Sequence, residues 1–275
     1  MTASMALPPP KDSKAPGDLG RRIVSGIVLA CIGLAGVHLG GGWFIALIAV
    51  VALALVFEWN AITVRNGLGL VAGVHLAFVA GALWAGIEGA FLPALAVVAV
   101  GVVVSVVLAR LRGGLMLWPA LAVPYVALPC LAMIWLRFDA AEGTGLVYWL
   151  LATIWATDTG AYAAGRTIGG PKLAPRISPK KTWAGLIGGV VAAMIVGAAV
   201  AYAVDLPQPL VLGLIAGFTG AWSQVGDLCE SAMKRHFGVK DSSRLIPGHG
   251  GFLDRLDGLL FAAPVAAVAV MMGVL

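Results

Sequence analysis

Charge is scarce in this chain. Asp, Glu, Lys and Arg make up 11% of its 275 residues, less than half of the roughly 25% usual in soluble domains. So little charge cannot cover a water-exposed surface, and 60% of the residues are hydrophobic. An integral membrane protein follows. Short segments of alternating hydrophobicity, the mark of a membrane barrel, are lacking too. The apolar runs are long and continuous, so helices are the expected spanning element. Cysteine is also rare. Cys31, Cys130 and Cys229 are far apart and show no metal-binding spacing such as CxxC. Cys31 and Cys130 lie in apolar stretches, as packing residues do. The opening segment MTASMALPPPKDSKAPGDLGRR lacks the basic start and short apolar centre of a secretory signal. It reads as a disordered cytoplasmic tail over 1–22.

What the chain has is a series of apolar runs, and nine of them are candidate spans. They cover roughly 23–40, 42–57, 68–86, 90–109, 115–136, 145–164, 184–204, 209–226 and 258–275. The fold class expected is all-α: a polytopic membrane protein with an amino-terminal helical region, 23–136, and a second region, 137–275, carrying the chemistry. With the amino end in the cytoplasm, alternation puts every Lys and Arg except Arg137 on the cytoplasmic side. Adding or removing one span would strand whole basic clusters outside, so the positive-inside rule favours nine. Two long connections, 165–183 and 227–257, then face the cytoplasm. Glycines four apart, Gly185 with Gly189 and Gly213 with Gly217, fit close helix packing. His38 and His75 sit in spans away from any polar cluster and read as structural.

The unusual residues gather in those two connections. In the first, ATDTGAYAAGRTIGGPKLAPRISPKKTWAG, Asp158 lies within an apolar span. A carboxylate there costs roughly 2.5–3.5 kcal/mol on insertion scales, so it needs a partner. Pairing with Arg166 and contact with a metal or substrate are both open. Lys180 and Lys181 follow Ser178-Pro179 just before a helix, where ammonium groups and backbone N–H groups can meet phosphate. The second stretch, QVGDLCESAMKRHFGVKDSSRLIPGHGGFLDRLDG, holds Asp227, Asp254 and Asp257. Five of the 13 acids fall within 227–257, more than a solvated surface in so uncharged a chain requires. Mg²⁺ prefers such carboxylates together with substrate phosphates. Lys234, Arg235, Lys240, Arg244 and Arg255 share the segment, and a metal flanked by cations suits a polyphosphate. His249 sits among Gly248, Gly250 and Gly251, which permit close approach of the backbone to a ligand.

The second stretch resembles the signature of the phosphatidate cytidylyltransferase (CDP-diacylglycerol synthase) family. The matching residues are Ser231, Lys234-Arg235, Lys240-Asp241, Gly248-His249-Gly250-Gly251 and Asp254-Arg255-x-Asp257. The preceding GDLCES and the first stretch from DTGAY to SPKKTW are similar to the family as well. Ala184 and Gly258 depart from its pattern, where glutamate or glutamine and serine are common. The resemblance implies transfer of the cytidylyl group of CTP to phosphatidate, with release of pyrophosphate, in phospholipid biosynthesis. It places catalytic roles on Asp227, Asp254, Asp257 and Lys240. Mg²⁺ would be held by Asp227, Asp254 and Asp257, with Asp158 as a further metal ligand. Substrate contacts fall on Arg166, Arg176, Ser178, Lys180, Lys181, Lys234, Arg235, His249 and Arg255. The expected partners are CTP, phosphatidate in the membrane and, as a candidate, a second copy of the chain. Nucleic acid is not among them. The expected location is the cell inner membrane with the active-site loops in the cytoplasm. A polyprenol kinase, transferring the γ-phosphoryl group, is the alternative enzyme. An anion transporter is the alternative class, though it would spread charge through several spans at mid-membrane.

Overall fold

The computed structural model describes residues 18–65, 67–113, 116–246 and 250–273. Nine helices appear among them: α1 Asp18–Leu39, α2 Gly41–Thr63, α3 Leu70–Ile87, α4 Phe91–Leu111, α5 Leu117–Phe138, α6 Gly143–Thr167, α7 Trp183–Ala203, α8 Pro209–His236 and α9 Leu253–Met271. Six of them, α2, α3, α4, α5, α7 and α8, are long and apolar enough to cross a bilayer. The apolar part of α1, Ile23–Leu39, is shorter. Polar residues interrupt α6 and the first turns of α9. The protein is therefore an integral membrane protein, and it is largely α-helical.

α5 is the hub. Its most apolar stretch is 61% buried, against 22% for α4, and it packs on α2, α3, α4, α6 and α9. α4 instead turns Leu92, Val103 and Val107 outward, the surface that hydrocarbon solvates in place of water. The second half of the chain is held by small residues. α6 and α7 meet so closely that a Cβ at Gly189 would lie 2.8 Å from the Thr157 carbonyl oxygen, and one at Gly185 2.9 Å from that of Ala161. Gly213 and Gly217 do the same for α8 against Met194 of α7. Both glycine pairs thus serve helix packing, as their spacing suggests. Cys130 is buried, while Cys31 is exposed on α1. His75 is fully buried and meets Asn60 Oδ1 at 3.0 Å through Nδ1, and His38 Nδ1 meets the Tyr148 hydroxyl at 3.2 Å.

Several boundaries differ from the sequence-based expectation. α1 starts at Asp18, inside the expected tail; residues 1–17 lie outside the described ones. The 227–257 connection is mostly helix, because α8 continues to His236 and α9 begins at Leu253. The residues 227–236 include good helix formers, and the chain turns only at Gly238, whose φ of 71° lets Val239 N–H reach the Lys234 carbonyl at 2.9 Å. Between α8 and α9 the described residues 237–246 and 250–252 are not helical. The 165–183 connection is not irregular either, so the fold is not wholly α. It folds as an antiparallel hairpin of β1 Lys172–Ala174 and β2 Ser178–Thr182. A two-stranded hairpin consists only of edge strands, so Pro179 is tolerated. Thr182 ends it and caps α7, its Oγ1 accepting the Gly185 N–H at 3.0 Å.

Candidate active site

The polar side chains converge where α6 ends, the hairpin turns into α7, and α8 gives way to α9. α8 supplies a stripe of them: Gln224, Asp227, Glu230 and Lys234 are three or four apart and share one face. The register of α9 against this stripe is set at Gly226, where a Cβ would stand 2.5 Å from the Asp257 carbonyl oxygen. Asp227 and Asp257 are thereby brought near enough for their charges to act on each other. Asp257 Oδ1 also accepts the Gly258 N–H at 2.9 Å. Gly258 is one of the departures from the family pattern. A Cβ there would stand in ordinary contact, 3.7 Å, from Asp227 Oδ1.

Beside this pair lies a cavity of about 330 Å³. α6 contributes Asp158, Tyr162 and Arg166; the hairpin contributes Lys180 and Lys181; α8 contributes Gln224 and Asp227. Lys181 reaches Asp227 Oδ2 at 2.5 Å. Asp158 accepts from Gln224 Nε2 at 3.1 Å, and both Lys181 and Arg255 act on it electrostatically. It does not pair with Arg166, which bonds the Tyr162 hydroxyl at 2.5 Å. One wall thus holds two acids and three cations around a space the size of a small charged ligand.

The expected aspartate trio is split. Asp254 belongs to a second cluster. Its Oδ1 meets Lys234 Nζ at 2.5 Å, and its Oδ2 accepts the Gly251 and Ser242 N–H groups, each at 2.8 Å. Donors from Lys234, Gly251 and Ser242 thus tie Asp254 to α8 and to the chain ahead of α9. Glu230 holds Lys234 as well, at 2.7 Å. Among the described residues no three His, Cys, Asp or Glu side chains stand together as a metal cage. The Asp227–Asp257 pair alone fits a divalent cation, because Mg²⁺ takes one or two carboxylates and completes its shell with water and phosphate. Two carboxylates in contact repel unless a proton or a cation lies between them.

Other expected site residues stand apart. Lys240, Arg235 and Arg176 are exposed, and Ser178 pairs with Ala174 in the hairpin. Among the described residues Lys240 makes no ion pair with either carboxylate cluster. His249 and Gly248 lie outside the described residues. Gly250 and Gly251 serve neighbouring carboxylates within the fold. A Cβ at Gly250 would stand 2.6 Å from Asp254 Oδ2, and one at Gly251 would collide with Ser242 and Glu58.

Glu58 escapes sequence reasoning altogether. It is fully buried on α2, yet its two oxygens accept four hydrogen bonds from the far end of the chain. Ser243 Oγ donates at 2.6 Å and Phe252 N–H at 2.9 Å to Oε1, while Ser242 Oγ at 3.0 Å and Leu253 N–H at 2.8 Å serve Oε2. A side chain nearly two hundred residues away thus caps α9, which has no side-chain cap of its own at Phe252.

Fold and site together define a polytopic helical membrane protein with one acidic and basic pocket where four helix ends meet. The chain belongs to the cytidylyltransferase family, whose sequence model matches residues 20–272. It is 40% identical over 248 residues to the phosphatidate cytidylyltransferase of Brucella suis biovar 1, covering 90% of this chain and 91% of that protein. The Bacillus subtilis protein of the same name is 46% identical over 123 residues, 44% of this chain and 46% of that protein. That of Staphylococcus haemolyticus is 47% identical over 131 residues, 46% of this chain and 50% of that protein.

Proposed function

We propose that the protein transfers the cytidylyl group of CTP to phosphatidate, giving CDP-diacylglycerol and pyrophosphate. The observation that carries this reading is the cavity in which Arg166, Lys180 and Lys181 face Asp158 and Asp227, with Asp257 acting on Asp227 from α9, in a chain similar along 90% of its length to a protein so named. An oxygen of the lipid phosphate attacks the α-phosphorus of CTP. The new P–O bond forms as the bond to pyrophosphate breaks. Both reactants are anions, so the first task is to screen their repulsion and the charge gathering on the leaving group. Lys181, Lys180 and Arg166 supply positive charge at the cavity wall. Asp227 orients Lys181 by its ion pair. Asp227 and Asp257 would hold Mg²⁺, which neutralises and templates a polyphosphate. No strong general base is needed, because a phosphate monoester is already ionised near pH 7.

The nine helices all cross the membrane in this reading, with the amino end, the hairpin and the 237–252 loop in the cytoplasm of an inner membrane. The near one-sided placing of Lys and Arg supports it. The test uses purified protein, phosphatidate and CTP labelled at either the α- or the γ-phosphorus. Label from the α position should enter the lipid while the γ label leaves as pyrophosphate. Entry of the γ label into lipid would overturn the reading in favour of a kinase. Asp227→Asn should abolish turnover by removing a charge from both the carboxylate pair and the Lys181 contact.

A further inference from the structure

A second cavity, of about 290 Å³, lies among α1, α2, α5, α6 and α9. Its walls are apolar and include Gly33, Leu47, Cys130, Trp155 and Leu259; Arg255 is the one charged residue among those that line it. This cavity adjoins the polar one along α6. Leu151 and Trp155 face the apolar space, and Asp158 and Tyr162, at the next helical steps, face the polar space. Arg255 belongs to both surroundings: it lines the apolar cavity and acts electrostatically on Asp158 of the polar one. It also sits on α9 between Asp254 and Asp257. An apolar recess with one guanidinium in its lining, next to a cationic and acidic pocket, is complementary to a molecule with a hydrocarbon tail and an anionic head.

We propose that the apolar cavity receives an acyl chain of the phosphatidate substrate, with Arg255 at its mouth holding the lipid phosphate toward the polar cavity. This rests on the cytidylyl-transfer reading and adds the place and orientation of the lipid. A chain seated there points its head at the Asp227–Asp257 side of α9, so tail binding sets the position of the attacking phosphate. It also predicts that the enzyme draws on chain length for rate, since apolar burial grows with each methylene.

The test fills the cavity from a position outside the polar site. A Cβ at Gly33 meets no atom within 4 Å, so Gly33→Phe adds a ring to the cavity wall without a backbone clash. With dioleoyl phosphatidate kcat/KM should fall at least about tenfold, whereas dihexanoyl phosphatidate, too short to fill the cavity, should be used as by the unaltered protein. An equal fall for both lipids, or a fall for neither, would overturn the proposal. Failure of the unaltered protein to join CTP to either lipid would instead sink the cytidylyl-transfer reading. A second measurement does not depend on the variant folding. Phosphatidate bearing a diazirine in its acyl chain should label Leu47, Cys130 or Leu259 of the unaltered protein, and excess dioleoyl phosphatidate should suppress the labelling. Labelling that diazirine phosphatidylcholine matches, or that phosphatidate does not suppress, would mean ordinary bilayer lipid fills the cavity and would overturn the proposal.

Discussion

Single carboxylates do different work here depending on what surrounds them. Asp227 lines a cavity with Asp257 close behind it, whereas Asp254 and Glu58 accept hydrogen bonds from the backbone ahead of α9. Glu58→Ala would leave the Phe252 and Leu253 N–H groups and the Ser243 hydroxyl without their acceptor, while the Ser242 hydroxyl keeps Asp254 Oδ2. A buried donor left bare costs about 1–3 kcal/mol, so the variant should lose at least about 3 kcal/mol and cleave faster within 237–252 under limited proteolysis. Unchanged proteolysis would show that the loop is held by other contacts. Glu58→Gln keeps one acceptor oxygen and should fall between. Lys181 lies on the other side of the site. Lys181→Ala should lower kcat/KM for CTP ten- to a hundredfold, the worth of one charged hydrogen bond at about 1.5–3 kcal/mol, with the thermal midpoint little changed because Lys181 is part-exposed. Wild-type kinetics would make it a topological lysine only.

At the scale of elements, the register between α8 and α9 decides whether a carboxylate pair exists. Asp227 lies in mid-helix and Asp257 just after the start of another, so a slide of one residue would separate them. Gly226 permits the approach, since a Cβ there would press on the Asp257 carbonyl and on Phe261. Gly226→Ala should therefore push α9 outward and reduce turnover more than it reduces Mg²⁺-independent binding of phosphatidate. Equal losses in both would mean that the helix pair simply fails to form. The hairpin plays the same part for Lys181. Thr182 ends the strand and caps α7 in one residue, which fixes where the preceding lysine points.

For the whole molecule, the question is which side of the membrane receives the site. Single cysteines placed in the hairpin or in 237–252, in a background freed of the three native cysteines, should react only with reagents that reach the cytoplasm. Modification of either segment in intact cells by a membrane-impermeant maleimide would refute the proposed orientation. The molecule's division follows the same axis. Small-residue contacts bind α6, α7 and α8 tightly, and α5 and α9 join them to the first half, so an apolar recess is left between the halves beside the polar pocket.

Much of this was legible in the amino-acid sequence. Apolar runs interrupted by glycine and proline mark the helices because hydrocarbon demands internally bonded backbone. The glycine spacing of α7 and α8 foretells their packing. The charge-dense stretches around Asp158, Lys181, Asp227 and Asp257 foretell the pocket, since charge at the edge of an apolar helix is too costly to lack a purpose. Tertiary structure alone decided how those charges pair. Sequence spacing put Asp254 and Asp257 on one helix, three apart, but could not show that one would be claimed by Lys234 and the loop while the other met Asp227. Nor could it single out Glu58, one acid in an apolar run of α2, because the groups it satisfies lie at the opposite end of the chain. Periodicity reports which face of a helix a residue shares. Which distant backbone donors need an acceptor is settled only when the helices dock, and there a buried N–H must find a partner or forfeit its hydrogen bond.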